Sequence, residues 1–309
     1  MKTVVILLSD KRSGSTMFQD ALCAHPKVQT VEYSPHTYLE TQHWLKSAVL
    51  LSVHPSLFRN GKSYKNYGSR KNARVYLENE LKGNLPTYEI PKDDKQLVFE
   101  GWEALCDRFA QPVFFEKSPQ HLTHWAALSL LLEWVQQTKK YKVKIIGLVR
   151  NPLAVQYSAF KLFRSLPNQR QYLWSHIHKN LLAFKSLLDE DQFKLIRYED
   201  IVDTPESTLT AICNFIGIEY DATIAHKIHG NSKTKWNDDT YFTLTLDPAV
   251  IQMANKFGYE ATILENDNTK KNSTWKLFVW NINTFFLKLK NRILNRFVMP
   301  ILLKFNLKK

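Results

Sequence analysis

The sequence predicts an open α/β fold with a mostly parallel central sheet, and three observations carry that prediction. Four short apolar runs rich in β-branched and aromatic residues, Thr3–Leu8, Pro112–Glu116, Val143–Val149 and Phe193–Arg197, read as buried strands. Stretches with helical spacing separate them, the alternation expected of parallel strands joined by helical crossovers. A glycine-bearing loop, Ser9-Asp10-Lys11-Arg12-Ser13-Gly14-Ser15-Thr16, joins the first run to a helical pattern through Met17, Phe18, Ala21 and Leu22.

The remaining elements follow in chain order. Val28–Pro35 (VQTVEYSP) contains a second short strand. Residues 34–98 mix aromatic and basic residues, show one helical stretch and then no clear period, and read as an insertion over the sheet. His124–Gln136 is an apolar helical stretch. Asn151-Pro152 caps and starts a helix that runs through Phe163, and Gln171–Leu188 gives another helical period. Thr204-Pro205-Glu206 opens a helix with Leu209, Ile212, Cys213 and Ile216 spaced three and four apart, and Gly217 ends it. A polar hinge, ENDNTKKNST, divides a body, residues 1–265, from a tail, residues 266–309.

Composition limits the function classes. A chain of 309 residues with 44% hydrophobic content can bury a large core in one domain. Cys23, Cys106 and Cys213 fit no metal spacing and are too few for a disulfide framework, which points to a reducing compartment and the cytoplasm. The N-terminal MKTVVILLSD has no small-residue cleavage site and reads as the first strand. No run reaches the roughly 18 apolar residues of a membrane span. Ten of the 42 Lys and Arg residues fall in positions 268–309, which carry no acid, so the body balances 32 basic against 29 acidic residues. That near-balance argues against a broad nucleic-acid surface.

Two clusters suit anionic ligands. The hydroxyls and free backbone N–H groups of residues 11–16, placed between a strand and a helix N-terminus, match a cluster of anionic oxygens. It is not a Walker A loop, because GxxxxGK[ST] is absent and the lysine precedes the glycine. In Arg150–Ser158 (RNPLAVQYS), a strand ends in an arginine whose planar fork suits phosphate, and a serine follows on the next helix. The pair would hold two separate phosphates at the ends of neighbouring parallel strands, where open α/β sheets bind ligands.

With these motifs in view, the chain resembles the PAPS-dependent sulfotransferases, of bacterial type and related to the tyrosylprotein and glycan branches. KRSGST is similar to their 5′-phosphosulfate loop and RNPLAVQYS to their 3′-phosphate motif. Glu116–His121 (EKSPQH) is similar to their EK[ST]PxH segment. IRYEDIVDTPESTLTAICNFIGI is similar to their RYEDL segment and the helix after it. His229-Gly230-Asn231 with Lys233 and Lys235 looks like the late loop over the nucleotide. The resemblance covers about residues 1–260. It implies a P-loop-like three-layer sandwich. It also implies a donor, 3′-phosphoadenosine-5′-phosphosulfate (PAPS), that leaves as 3′-phosphoadenosine-5′-phosphate (PAP). Lys11, Arg12, Ser13, Gly14, Ser15 and Thr16 would hold the 5′-phosphosulfate, Arg150 and Ser158 the 3′-phosphate, and Lys117 would face the sulfuryl group. Gly230, Asn231, Lys233 and Lys235 would close over the nucleotide, with Arg197 and Tyr198 supporting the cofactor loop.

Sulfuryl transfer needs an in-line acceptor, positive groups where charge builds on the leaving oxygen, and a base for an acceptor hydroxyl. Lys11, Arg12 and Lys117 suit the second task without a metal. Glu32 is the first candidate base, with Tyr33 one residue away and His36 and His121 as competitors, while Glu116 is expected to orient Lys117. The acceptor stays open among small molecules, glycans and lipid-linked hydroxyls or amines, with residues 34–98 on its side of the protein. In the tail, Trp275–Phe297 carries an apolar stripe opposite Lys and Arg, the pattern of an amphipathic helix, and residues 275–305 are expected either to lie on an anionic membrane or to pack on the body. Two alternatives remain: a membrane-surface binding module on a degenerate version of this fold, and a P-loop phosphoryl-transfer enzyme.

Overall fold

The computed structural model describes residues 2–53, 68–163, 165–230, 232–239 and 242–266, together with Ile282, Phe285, Phe286 and Leu289. The chain forms two compact units, one of residues 1–150 and 174–230, the other of residues 151–173 and 231–309.

The first unit holds a five-stranded sheet of β1 (Thr3–Ser9), β2 (Val28–Gln29), β3 (Val113–Lys117), β4 (Lys142–Val149) and β5 (Phe193–Arg197), in the spatial order β2-β3-β1-β4-β5. Each neighbouring pair is parallel, with Leu7 opposite both Lys117 and Ile146, and Val149 opposite Arg197. Burial on both faces explains why β1 and β3 read as unbroken apolar runs, since every residue of each is buried. One face, through Val5, Leu7, Phe115 and Leu148, packs on α1 (Ser15–Leu22). The helix α9 (Pro205–Ile216) joins that layer with Leu209, Ile212 and Ile216.

The opposite face meets helices supplied by the segment between β2 and β3. These are α2 (His43–Leu50), α3 (Arg70–Asn84) and α4 (Asp94–Phe109), with α5 (Trp125–Gln137) between β3 and β4. Their shared core is aromatic. Trp44, Trp102 and Trp134 are buried with ring centroids 5.2–5.9 Å apart, and Trp102 lies 5.7 Å from Phe114 of β3. Among its described residues the predicted insertion is therefore more than half helical. Ser69 caps α3 by accepting from Asn72 N, and Asp93 caps α4 by accepting from Gln96 N. Elsewhere β5, the Pro152–Phe163 helix and α9 fall at the expected limits, and the remaining strand and helix limits shift by up to four residues.

The second unit contains α6 (Pro152–Phe163) and the start of α7 (Pro167–Lys185), whose residues from Trp174 onward belong to the first unit. After β5 the first unit continues through α8 (Tyr198–Asp203) into α9, and Gly217 stops α9 with φ 83°, a left-handed conformation that glycine adopts without strain. The second unit resumes with α10 (Lys235–Asp238) and α11 (Pro248–Asn255). Asp239 accepts from the Tyr157 hydroxyl at 3.1 Å and pairs with Lys161 at 2.7 Å, holding the loop at α10 against α6. Of the tail, expected to form an amphipathic helix over 275–297, only Ile282, Phe285, Phe286 and Leu289 are described. All four are helical and exposed, and the rest of that expectation lies outside the described residues. No described helix is long and apolar enough to cross a membrane.

The tryptophan cluster is the densest part of the helical layer, so Trp134→Ala is expected to cost about 3–5 kcal/mol by leaving a cavity beside Trp44 and Trp102. A urea midpoint that barely moves would contradict this.

Candidate active site

At its C-terminal end β1 turns sharply into α1. Ser13 N donates to the Asp10 carbonyl at 3.3 Å, Arg12 adopts φ 74° and Gly14 adopts φ 91° at the helix N-cap. A side chain at Gly14 would collide with the Tyr198 ring, because a Cβ there would stand 2.4 Å from Cδ2. The glycine is required for both its conformation and this contact. The Ser13 hydroxyl is buried and has no hydrogen-bond partner among the described residues. A buried donor of that kind is costly unless something accepts from it.

Arg150, one residue beyond β4, fixes this turn. Its Nη1 donates to the Arg12 carbonyl at 3.0 Å, and its guanidinium lies 4.2 Å from the centroid of the Tyr198 ring. Tyr198 is buried at the start of α8, and the neighbouring Arg197 donates to both carboxylate oxygens of Asp200, at 2.6 and 3.0 Å. The ends of β1, β4 and β5 thus meet around one arginine and one tyrosine. Lys11 and Arg12 extend from the turn, half-buried and exposed respectively. His124, the residue that caps α5, is depressed to a pKa of about 4 by burial, with His176 and Lys11 pushing the same way. Nothing in the sequence had marked His124, because it belongs to no motif.

Lys117 ends β3 with no exposed surface. Its Nζ donates to Glu40 Oε1 at 3.0 Å, and Gln120 Nε2 donates to Glu40 Oε2 at 2.8 Å. Glu116 does not orient Lys117 as expected. Adjacent strand residues face opposite sides, and its Oε1 accepts from Thr41 at 2.7 Å and Ser118 at 2.5 Å. Glu40 performs the role assigned to Glu116. The chain around it is contorted, with Tyr38, Leu39 and Gln42 all at φ 51–62°. Non-glycine residues in that region cost on the order of 1–3 kcal/mol each, and such strain collects at functional sites.

Behind Lys117 lies a buried polar layer. His43 Nε2 donates to the Val98 carbonyl at 2.9 Å, so its Nδ1 is free to accept from a protonated Glu80, 3.3 Å away. Burial raises Glu80 well above the usual carboxylate range and holds His43 down at about 4, so the pair is neutral. Burial likewise pushes Glu116 up to about 7, and burial together with His43 lowers His121 to about 3.

The structure brings together Lys11, Arg12, Ser13, Gly14, Ser15, Thr16, Arg150 and Tyr198 at the strand ends. It does not bring Glu32 to Lys117. Asn84 Oδ1 accepts from the backbone N–H groups of Glu32 and Tyr33, at 3.0 Å each, and the Glu32 carboxylate, 68% exposed, pairs with Arg108 at 3.2 Å. His121 is fully enclosed, with Nδ1 3.8 Å from Glu116 Oε2. His36 Nδ1 stands 3.3 Å from Glu40 Oε2. Gly230 is exposed at the end of the first unit. Ser158 on α6, Lys233 and Lys235 belong to the second unit, and Asn231 lies outside the described residues.

A model described as "Sulfotransferase family" matches residues 5–222, and the chain belongs to that family. Among curated proteins, it is 23% identical over 236 residues to the omega-hydroxy-beta-dihydromenaquinone-9 sulfotransferase Stf3 of Mycobacterium bovis and to that of Mycobacterium tuberculosis. The match takes in 69% of this chain and 58% of each relative's length. The sulfotransferase domain of the Synechococcus PCC 7002 olefin synthase superposes with a TM-score of 0.56 at 21% identity, over 84% of this chain and 95% of that one. The sulfotransferase domain from the curacin biosynthetic pathway gives 0.57 at 18% identity, over 84% and 99%. Both share the fold.

The neutral layer gives stability a readable pH dependence. Glu116 is raised from an ordinary 4.5 to about 7, so it holds its proton more firmly folded than unfolded. Its contribution is complete below about pH 4.5 and is lost as pH climbs through 7. His43 and His121, both depressed, act only below their ordinary 6.5. Glu116→Gln is therefore expected to leave urea stability near its original value at pH 5 and to raise it at pH 8. An equal change at both pH values would show that Glu116 is not protonated in the folded state.

Proposed function

We propose that the chain transfers a sulfuryl group from PAPS to the hydroxyl of a lipid-linked acceptor. The observation that carries this reading is the turn at residues 10–16, pinned by Arg150 and Tyr198 at the ends of three parallel strands. The residues suit an anionic donor. The Ser13 hydroxyl is buried without an acceptor, Gly14 leaves no side chain over the turn, and α1 presents the positive end of its dipole there.

Residues Lys11 to Thr16 would hold the 5′-phosphosulfate, and Arg150 with Ser158 the 3′-phosphate. Tyr198 would support the turn, with Gly230, Asn231, Lys233 and Lys235 on the nucleotide side. When bound, the donor supplies the activated sulfuryl group. Lys11, Arg12 and Lys117 offset charge on the leaving oxygen, so the reading calls for no metal. In this reading residues 1–265 form the catalytic body, with 34–98 on the acceptor side. Family membership favours it over phosphoryl transfer and over a purely binding role.

Two observations favour a lipid-linked hydroxyl over a small metabolite. The mycobacterial relatives carry the name of an omega-hydroxylated menaquinone. The described residues of the tail, Ile282, Phe285, Phe286 and Leu289, present exposed apolar side chains in a segment rich in Lys and Arg, which would place a cytoplasmic enzyme on an anionic membrane face.

Isothermal titration of the full chain with PAP, and separately with ATP and magnesium, tests the donor assignment. PAP is expected to bind, ATP with magnesium is not, and Arg150→Ala is expected to weaken PAP by at least about 1.5–3 kcal/mol. Binding of ATP alone, or of neither, would overturn the reading.

A further inference from the structure

We propose that Glu40 is the catalytic base that takes the acceptor's proton, a step that rests on the sulfuryl-transfer reading above. Glu40 touches Lys117, the lysine at the end of β3, through Oε1 at 3.0 Å. Parallel pairing sets Lys117 beside Leu7 of β1, two residues before Ser9 and the turn that begins there. Glu32, the carboxylate that follows β2, is held outward on Arg108 instead.

Three features distinguish Glu40 from an ordinary ion-pair partner. Its carboxylate is held at both oxygens, by Lys117 and by Gln120. Its carbonyl accepts from the Ser34 hydroxyl at 2.5 Å and from the Tyr76 hydroxyl at 3.3 Å, which fixes the main chain at the same residue. Tyr38, Leu39 and Gln42 adopt left-handed backbone on either side of it. A structural salt bridge needs none of this, whereas a base that must meet one hydroxyl oxygen in line does. The Tyr38 ring stands 6.0 Å from Lys117 Nζ and is 67% exposed, so one aromatic ring separates the buried pair from the surface.

In the step, the acceptor oxygen forms a bond to sulfur as its O–H proton passes to the Glu40 carboxylate. The sulfur–oxygen bond to the 5′-phosphate breaks, and its electron pair stays on the leaving phosphate oxygen, yielding PAP. Lys117, neutralised by Glu40 before the donor arrives, then turns its charge to the sulfuryl oxygens. The same carboxylate that promotes transfer therefore opposes donor binding, and that opposition can be measured without an acceptor.

The experiment uses the full chain with Glu40→Gln and Glu40→Asp. Affinities for PAP and PAPS are measured by titration, and PAP release from PAPS is followed with hexadecanol in mixed micelles and with water alone. Glu40→Gln is expected to bind PAPS severalfold tighter while PAP release falls at least about 100-fold, with Glu40→Asp recovering part of the rate. A residue that only holds the fold would not tighten the donor. Unchanged or weaker PAPS binding in Glu40→Gln, or release within about threefold of the original, would overturn the assignment. So would finding that Glu32→Gln or His124→Asn causes the loss instead. An original chain that binds no PAP overturns the sulfuryl-transfer reading itself; a chain that binds PAP but is indifferent to Glu40→Gln overturns Glu40 alone.

Discussion

The site depends first on the parallel register of four strands. Because β1, β3, β4 and β5 run the same way, their C-terminal ends emerge along one edge, and residues over a hundred positions apart become neighbours there. Arg150 reaches the Arg12 carbonyl because β4 pairs with β1 through Leu148 and Ser9. Tyr198 reaches Gly14 because β5 pairs with β4 up to Arg197. The turn after β1 is held from these neighbours, by the Arg150 bond to the Arg12 carbonyl and by the Tyr198 ring against Gly14.

Charge is then distributed by burial. A lysine with no exposed surface is tolerated only when a partner offsets its desolvation, and Glu40 provides that partner at the cost of a contorted main chain. Immediately behind, the protein avoids charge by keeping Glu80 protonated and His43 neutral. Glu116, one residue before Lys117, faces this second environment, so two adjacent residues on one strand sit in opposite electrostatic regimes. The change from charged to neutral takes place across the thickness of a single sheet.

Much of this was legible in the sequence. Apolar runs located the four longer strands, since a sheet covered on both faces leaves no polar alternation to confuse them. The glycine turn and Arg150 stood out because a strand-to-helix turn needs glycine and a strand-end arginine suits an anion, whereas Tyr198 was named only through the resemblance of its segment to the family. The helices α3 and α4 were missed although Ser69 and Asp93 cap them, because their exposed faces are so polar that the buried positions, such as Ala73, Leu77 and Leu81, make a weak period. Glu40 was not legible at all. Its contact with Lys117 lies 77 positions away, and nothing local separates it from Glu32, whose backbone N–H is held by Asn84 and whose exposed carboxylate pairs with Arg108.

Trp44, Trp102, Glu40 and Glu80 come from the segment between β2 and β3, whereas the turn, Arg150 and Tyr198 directly follow β1, β4 and β5. The two sets are joined through β3, where Glu40 bonds Lys117, Thr41 bonds Glu116 and Trp102 packs against Phe114. Exchanging this segment would therefore mean rebuilding its bonds to Glu116, Lys117 and Gln120 together with the aromatic packing on Phe114, while the bonds among the turn, Arg150 and Tyr198 involve none of its residues.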